Sequence, residues 1–362
     1  MNNANDVLVI GAGIVGASIG WHLAASGARV TILDAGAGGG KATPSSFAWI
    51  NASRGNPEPY FRLRTRSMEE WKRLSAAVPD LSVSWPGGLC WDMTEDELRA
   101  YAGNHASWGY DVRLVDRIEA ARIEPGLLNP PALAAHAAGE GMADPEPAAR
   151  ALLADAARLG ARIVPDTRVI TLLDRDGRAP EVITNGGTFS PDALVLAAGA
   201  ATPQLAASVG VHVPMETPPG LLVHSQPYRR VLNGLVLAPD LHMRQTAQRR
   251  LVVGAGFGGT DPKADPASAA REVFERMRCM LRDADDLAFG FYSVGYRPTP
   301  EDGVPIVGSV DSQPGLYLAV MHSGITLAPA VGRFLAGEIL DGQREALLEP
   351  YRLSRFTARQ RR

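Results

Sequence analysis

The sequence predicts an α/β (α+β) fold organised on a Rossmann-type parallel-sheet domain. Three observations predict it. A complete β-α-β unit with a glycine-rich turn opens the chain. Strand-like and turn-like segments follow in the middle. Near the C-terminus a polar loop leads to two short strands, a turn and an apolar helix.

The first unit justifies itself residue by residue. Asp6-Val7-Leu8-Val9-Ile10 is a short β-branched run, the pattern of a buried parallel strand. Gly11-Ala12-Gly13-Ile14-Val15-Gly16 follows at once. The stretch Ala17–Ser26 reads as a helix ended by Gly27, and Arg29–Leu33 as a second strand closing on Asp34. Gly11 permits the tight turn, Gly13 lets a pyrophosphate approach the backbone, and Gly16 lets the helix pack close to the sheet. The helix N-terminus favours an anion, and Asp34 is placed to accept from an adenosine ribose. This pattern leaves NAD and FAD both open.

Composition narrows the class. With 362 residues, 46% of them hydrophobic, the chain can bury a large core. Gly 38 and Pro 27 are high but below the level of low-complexity chains. The net charge of -3 gives no field for nucleic acid. Cys90 and Cys279 lie far apart, which excludes a disulfide framework or a zinc cluster and suits a reducing cytoplasm. No Lys or Arg precedes Arg29, so the start lacks the basic region of a secretory leader. The longest charge-free stretch, Ala193–Met215, is too polar to span a bilayer. The expected localisation is cytoplasmic, with no membrane or nucleic-acid partner. The C-terminal arginines, Arg352, Arg355, Arg359, Arg361 and Arg362, read as a solvated end.

The glycines bunch, and one bunch is a decoy. Gly254-Ala255-Gly256-Phe257-Gly258-Gly259 follows a strand, Leu251–Val253, but leads into Thr260-Asp261-Pro262-Lys263 rather than a helix. It reads as a hairpin strand and loop. The long segment 35–51, glycine-rich and then hydroxyl-rich, reads as a functional loop partly buried by Phe47, Trp49 and Ile50. Arg162–Val164 and Thr167–Leu173 alternate as strands, and Glu181–Thr184 with Thr188-Phe189 forms a hairpin about Asn185-Gly186-Gly187. The strand Ala193–Leu196 ends at Gly199, where backbone can pass close to a dinucleotide. A helix is expected from about Thr326 to Leu340, with Pro329 in its first turn.

The motifs VIGAGIVGASIGWHLAASGARVTILD, SSFAWIN, TRV, LVLAAGA, RPTPEDGVPIVG and HSGITLAPAVGRFLAGEI resemble the D-amino-acid oxidase, glycine oxidase and sarcosine oxidase superfamily of FAD-dependent amine oxidoreductases. The resemblance implies a glycine-oxidase-like fold, in which a second, antiparallel-sheet substrate domain joins the Rossmann-type FAD-binding domain. The FAD-binding domain would be assembled from 1–80, 145–215 and 293–362, and the substrate domain from 81–144 and 216–292. It places FAD against Gly11, Gly13, Ile14, Val15, Gly16, Asp34 and Ala35, and against Thr43, Ser45, Ser46, Ala48 and Trp49. Val169, Ala198 and Gly199, then Arg297, Ser323, Gly324, Ile325, Thr326 and Leu327, complete that set. Similar sarcosine oxidases attach flavin through a cysteine, but Tyr292-Ser293-Val294-Gly295-Tyr296 has none, so FAD is expected to be non-covalent. Thr326 stands where those enzymes carry a lysine, which leaves oxidase and dehydrogenase open.

The implied chemistry is hydride transfer from the C–H next to nitrogen to flavin N5, giving an imine that hydrolyses to an oxo acid. By motif position Arg297 holds the substrate carboxylate; the alternative is a surface ion pair with Glu301 or Asp302. His322 departs from the family pattern and is either a substrate contact or a structural histidine. His242 and Arg244 share one face of a strand, and Tyr292 and Trp49 are aromatic candidates for the pocket wall. The expected partners are a small amine or amino acid and O2 or another electron acceptor, with a homo-oligomer compatible. No metal is expected. Two further readings stand: a 2-hydroxy-acid dehydrogenase on the same scaffold, and a non-catalytic FAD-binding subunit of a hetero-oligomeric dehydrogenase.

Overall fold

A computed structural model describes residues 6–239, 241–255, 262 and 265–359, without the side chains of 357–359. The elements that matter to the site are β1 (Asp6–Ile10), α1 (Ile14–Ala25), β2 (Arg29–Leu33), α2 (Glu58–Ala77), α3 (Pro145–Arg158), β3 (Arg162–Val164), β4 (Ala193–Leu196), β5 (Ile306–Ser309), β6 (Leu316–Val320) and α4 (Gly324–Asp341). The six strands form one sheet in the order β5-β6-β4-β1-β2-β3. All neighbours are parallel except β5 with β6. A parallel sheet must be covered on both faces, and the continuous apolar runs of β1 and β4 are buried along nearly their whole length. The apolar helix α1 packs between α3 and α4, which explains why it buries residues around most of its circumference.

A second sheet of eight strands runs Phe289–Tyr296, Pro219–Ser225, Leu251–Gly254, Leu241–Gln245, Leu235–Ala238, Gly88–Cys90, Leu133–Ala137 and Val112–Asp116. It is antiparallel except where Leu235–Ala238 runs parallel to Gly88–Cys90, the join between its two sequence segments. Strand Phe289–Tyr296 lies wholly in this sheet and straddles the boundary expected at 292/293. The hairpin about Asn185 forms as read, with Arg178–Thr184 paired to Gly187–Phe189. The strand Leu251–Gly254 is also present; the loop residues 256–261, 263 and 264 lie outside the described residues.

Two expectations need correction. α4 begins at Gly324, so Pro329 is inside the helix, beyond its first turn. Proline has no N–H for the carbonyl of Ile325, and Trp71 Nε1 donates to that oxygen instead at 2.8 Å. Trp71 is fully buried, so this bond ties α2 to the start of α4. The C-terminal arginines are not all solvated. Arg352 is buried against Glu338, and Arg355 pairs with Asp302 at 2.8 Å. Arg361, Arg362 and the side chain of Arg359 lie outside the described residues. Among the described residues no helix is long and apolar enough to cross a membrane.

Candidate active site

The glycine-rich turn is built to leave an anion site open. Gly11 has φ +104°, a conformation costly for any side chain, and its N–H donates to Leu33 O at 2.8 Å. A Cβ on Gly16 would overlap the Gly11 carbonyl oxygen, so only glycine lets α1 start this close to β1. Gly13 caps α1 without a side-chain hydrogen bond, and no acidic residue occupies the first turn. The positive helix end is therefore not neutralised by the chain. Ile14 N donates to Thr43 Oγ1 at 3.1 Å. Gly38, Gly39 and Gly40 all have positive φ, and Gly39 N donates to Ala12 O at 3.0 Å, so the loop folds back over the turn. Asp34 accepts from Ala12 N at 2.7 Å and Gly36 N at 2.9 Å. It braces both strand ends and retains oxygen lone pairs for a hydroxyl. Ala35 is exposed beside it, and Val169 and Ala198 each pack against the core behind β1 and β4. Gly199 opens a short 3-10 turn after β4.

Beyond this turn lies a cavity, open to solvent, between the two sheets. Ser45, Ser46, Ala48, Trp49, Arg297, His322, Ser323, Ile325, Thr326 and His242 line it, as do Phe47, Asn51, Arg64, Leu222 and Pro298. Thr326 Oγ1 donates to Trp49 O at 3.0 Å and so ties the 42–51 loop to the N-terminus of α4. Ala48 is held at φ 59° between the cavity and the strand Gly141–Ala143. Gly324 and Leu327 belong to the same first turn of α4 but do not face the cavity.

The catalytic candidates separate here. Arg297 lies against Gly220 of the second sheet, where any Cβ would overlap its guanidinium. Its side chain has no hydrogen bond or ion pair among the described residues, because Asp302 is taken by Arg355. His322 is partly buried; burial, then the charges of Arg297 and Arg64, push its pKa down to about 4. It is a neutral imidazole at neutral pH. His242 is buried and hydrogen-bonded through Nε2 to the Asp92 carboxylate at 2.8 Å. Burial pushes Asp92 up, but bonds from His242 and Cys90 and the Arg54 charge overcome it and hold the carboxyl below its usual value. Two candidates move away from the site. Arg244 is buried and occupied by Phe47 O at 2.5 Å and Asp144 at 3.3 Å, so it anchors the loop from behind. Tyr292 is exposed on the edge strand of the second sheet and does not line the cavity.

Sequence reading missed Arg64, Glu140 and Asp92. Arg64 had a signal: it falls on the buried stripe of α2 with Tyr60, Ser67, Met68 and Trp71. Glu140 had none, since it is brought to Trp49 by the fold. It accepts from Trp49 Nε1 and Tyr110 Oη, each at 2.7 Å. Burial pushes its pKa up to about 7, against those bonds. A group with a raised folded pKa loses stabilisation as pH rises from its unfolded value through the folded one. Unfolding by urea should therefore show stability falling between about pH 4.5 and 7, by on the order of 3 kcal/mol from this group. Glu124, also pushed up to about 7 by burial, adds a similar slope. Glu140→Gln should remove its own share of the slope, and an unchanged slope would show that Glu140 titrates normally.

With this geometry established, the comparisons decide the family. The model of the FAD dependent oxidoreductase family matches residues 6–338. The chain belongs to that family. The oxidoreductase is 27% identical to glycine oxidase from Geobacillus kaustophilus, whose solved structure covers 97% of this chain and 98% of its own at a TM-score of 0.87. It is 26% identical to an opine oxidase subunit from Rhizobium meliloti over 98% of each chain. It is 28% identical to the solved iminodiacetate oxidase from Chelativorans sp. BNC1, with 96% and 98% coverage and a TM-score of 0.83. The cofactor of this oxidoreductase is FAD, and the residues fit it. The uncapped α1 terminus and the Gly11 turn suit the pyrophosphate, Asp34 suits the ribose, and the cavity beyond them suits the ring system. Among the described residues no cluster could hold a metal ion.

Proposed function

We propose that this flavoenzyme oxidises an amino acid or secondary amine at the C–H next to nitrogen. The carrying observation is Arg297, a partly buried guanidinium in the cavity with no acidic partner among the described residues. Burying such a charge costs several kcal/mol unless a ligand supplies the anion. A guanidinium fork fits the two oxygens of a carboxylate. The names of the similar proteins, a glycine oxidase, an opine oxidase component and an iminodiacetate oxidase, support the same class.

FAD, when bound, would supply the two-electron acceptor for the hydride that leaves the substrate carbon. The amine must be neutral to lose it, and Leu222, Ile325 and Trp49 help exclude the water that would keep an ammonium charged. His322, neutral and unpartnered among the described residues, can accept a hydrogen bond from the substrate N–H. The imine product then takes up water to give an oxo acid and an amine. O2 or another acceptor removes the electrons. We assign the cofactor to the segments around the first sheet and the substrate to the face of the second, with non-covalent FAD, a cytoplasmic setting and a homo-oligomer as the working arrangement.

Purified protein should release flavin on acid treatment, and anaerobic addition of amino acids or secondary amines should bleach the flavin band. Bleaching by 2-hydroxy acids alone would replace the amine reading with alcohol oxidation. No bleaching by either class would overturn it.

A further inference from the structure

The cavity contains a second cation that one carboxylate leaves unanswered. Arg64 rises from α2 and is buried. Its Nε donates to Asn51 O at 2.9 Å, Nη2 to Asn51 Oδ1 at 2.8 Å and Nη1 to Ser323 Oγ at 2.7 Å. A guanidinium has five N–H groups, so two remain. All three partners are neutral, and Arg64 has no ion pair among the described residues. Glu140 feels the Arg64 charge, but it is committed to Trp49 and Tyr110 and is itself pushed toward its neutral form by burial.

Arg64 and Arg297 enter from different sides. Arg64 stands on the helical side, between Asn51 and the N-terminus of α4. Arg297 leans on Gly220 of the second sheet. Both guanidiniums line the same cavity as His322. No Asp or Glu lines the cavity among the described residues. A neutral-amine monocarboxylate brings one negative charge to two buried cations, while an amine carrying two carboxylates brings two.

Resting on the amine-oxidation reading, we infer that the substrate is a dicarboxylic amine, with Arg297 and Arg64 each holding one carboxylate and the oxidised C–N bond between them. Arg64 is then a specificity-determining residue. The chemistry balances as before. The carbon loses a hydride to FAD, the nitrogen loses its proton, and water converts the imine to an oxo acid and an amino acid. O2 or another acceptor reoxidises the cofactor.

The test compares wild type with Arg64→Met and Arg64→Lys, each confirmed to retain flavin. Reduction rates are measured with iminodiacetate and with sarcosine, which differ by one carboxylate. Binding of glutarate and acetate is read from the flavin spectrum, so that carboxylate recognition is measured independently of amine oxidation. Wild type should prefer iminodiacetate by at least about 100-fold in kcat/KM, the tenfold per 1.4 kcal/mol of a charge-assisted contact. Arg64→Met should abolish that preference and the preference for glutarate, because iminodiacetate loses far more in kcat/KM than sarcosine does; Arg64→Lys should restore part of both. Equal losses on both amines, with altered sulfite affinity of the flavin, would assign Arg64 to the cofactor and overturn the proposal. Tight glutarate binding lost in Arg64→Met, with no amine bleaching the flavin, would keep the dianion site and overturn amine oxidation instead.

Discussion

Arg297→Met is expected to raise KM for the carboxylate substrate by about 100- to 1000-fold while flavin stays bound. The reasoning is local. Arg297 has no protein acceptor among the described residues, so the carboxylate is its first ionic partner. Hydrogen bonds to charged groups contribute about 1.5–3 kcal/mol each, and a fork makes two. Allowing for desolvation of both ions, a net loss of about 3–4 kcal/mol follows, which is two to three orders of magnitude. The effect belongs mainly to KM, because the carboxylate is held alike before and during hydride loss. Arg297→Lys should recover only part, since an ammonium cannot fork. Steady-state rates at several substrate concentrations check this, and an unchanged KM would remove Arg297 from carboxylate binding.

Some of this site is legible in the amino-acid sequence. The β1-turn-α1-β2 unit follows from local rules: a buried strand, a turn that only glycine accommodates, and an acid that ends the second strand. Each lies within thirty residues, so the signal survives without tertiary information. The same holds for β6 and α4, where Leu316–Val320 and Leu327–Ile339 carry clear periods. The distant pairings carry no such signal. Nothing local shows that Trp71 repairs the carbonyl left open by Pro329, 254 positions apart in the chain. Glu140 reaches Trp49 across 91 positions, and His242 reaches Asp92 across 150. Arg244 and His242 share one strand face, and only the loop crossing above them decides that one meets the cavity and the other Phe47. Arg64 was hidden by its neighbours, since Arg62 and Arg66 on the same helix are surface ion-pairing residues. The helical phase separates them, and a cation on a buried stripe is the feature to look for in such sequences.

Glu338→Ala should destabilise the protein by about 3–5 kcal/mol, seen as a lower urea midpoint with FAD held at fixed concentration. Glu338 lies on α4, far along the helix from the cavity. Its carboxylate accepts from Arg352 Nη1 at 2.6 and 2.9 Å and from Ser309 N at 3.1 Å. Both side chains of the pair are about 5% exposed. Deleting the acid leaves the Arg352 charge buried with only the more exposed Glu349, at 3.0 Å, to answer it. It also leaves the Ser309 N–H without its acceptor. The pair therefore clamps the C-terminal segment and edge strand β5 onto α4. Arg355 adds a second clamp three residues on, holding Asp302 in the loop that begins at Arg297. Loosening the first clamp should thus weaken FAD binding as well as stability. Replacing both partners, as Glu338→Leu with Arg352→Met, should cost less than Glu338→Ala, because no unpaired charge remains. If the double variant is instead the less stable of the two, the pair holds by direct attraction rather than by avoiding an orphaned charge.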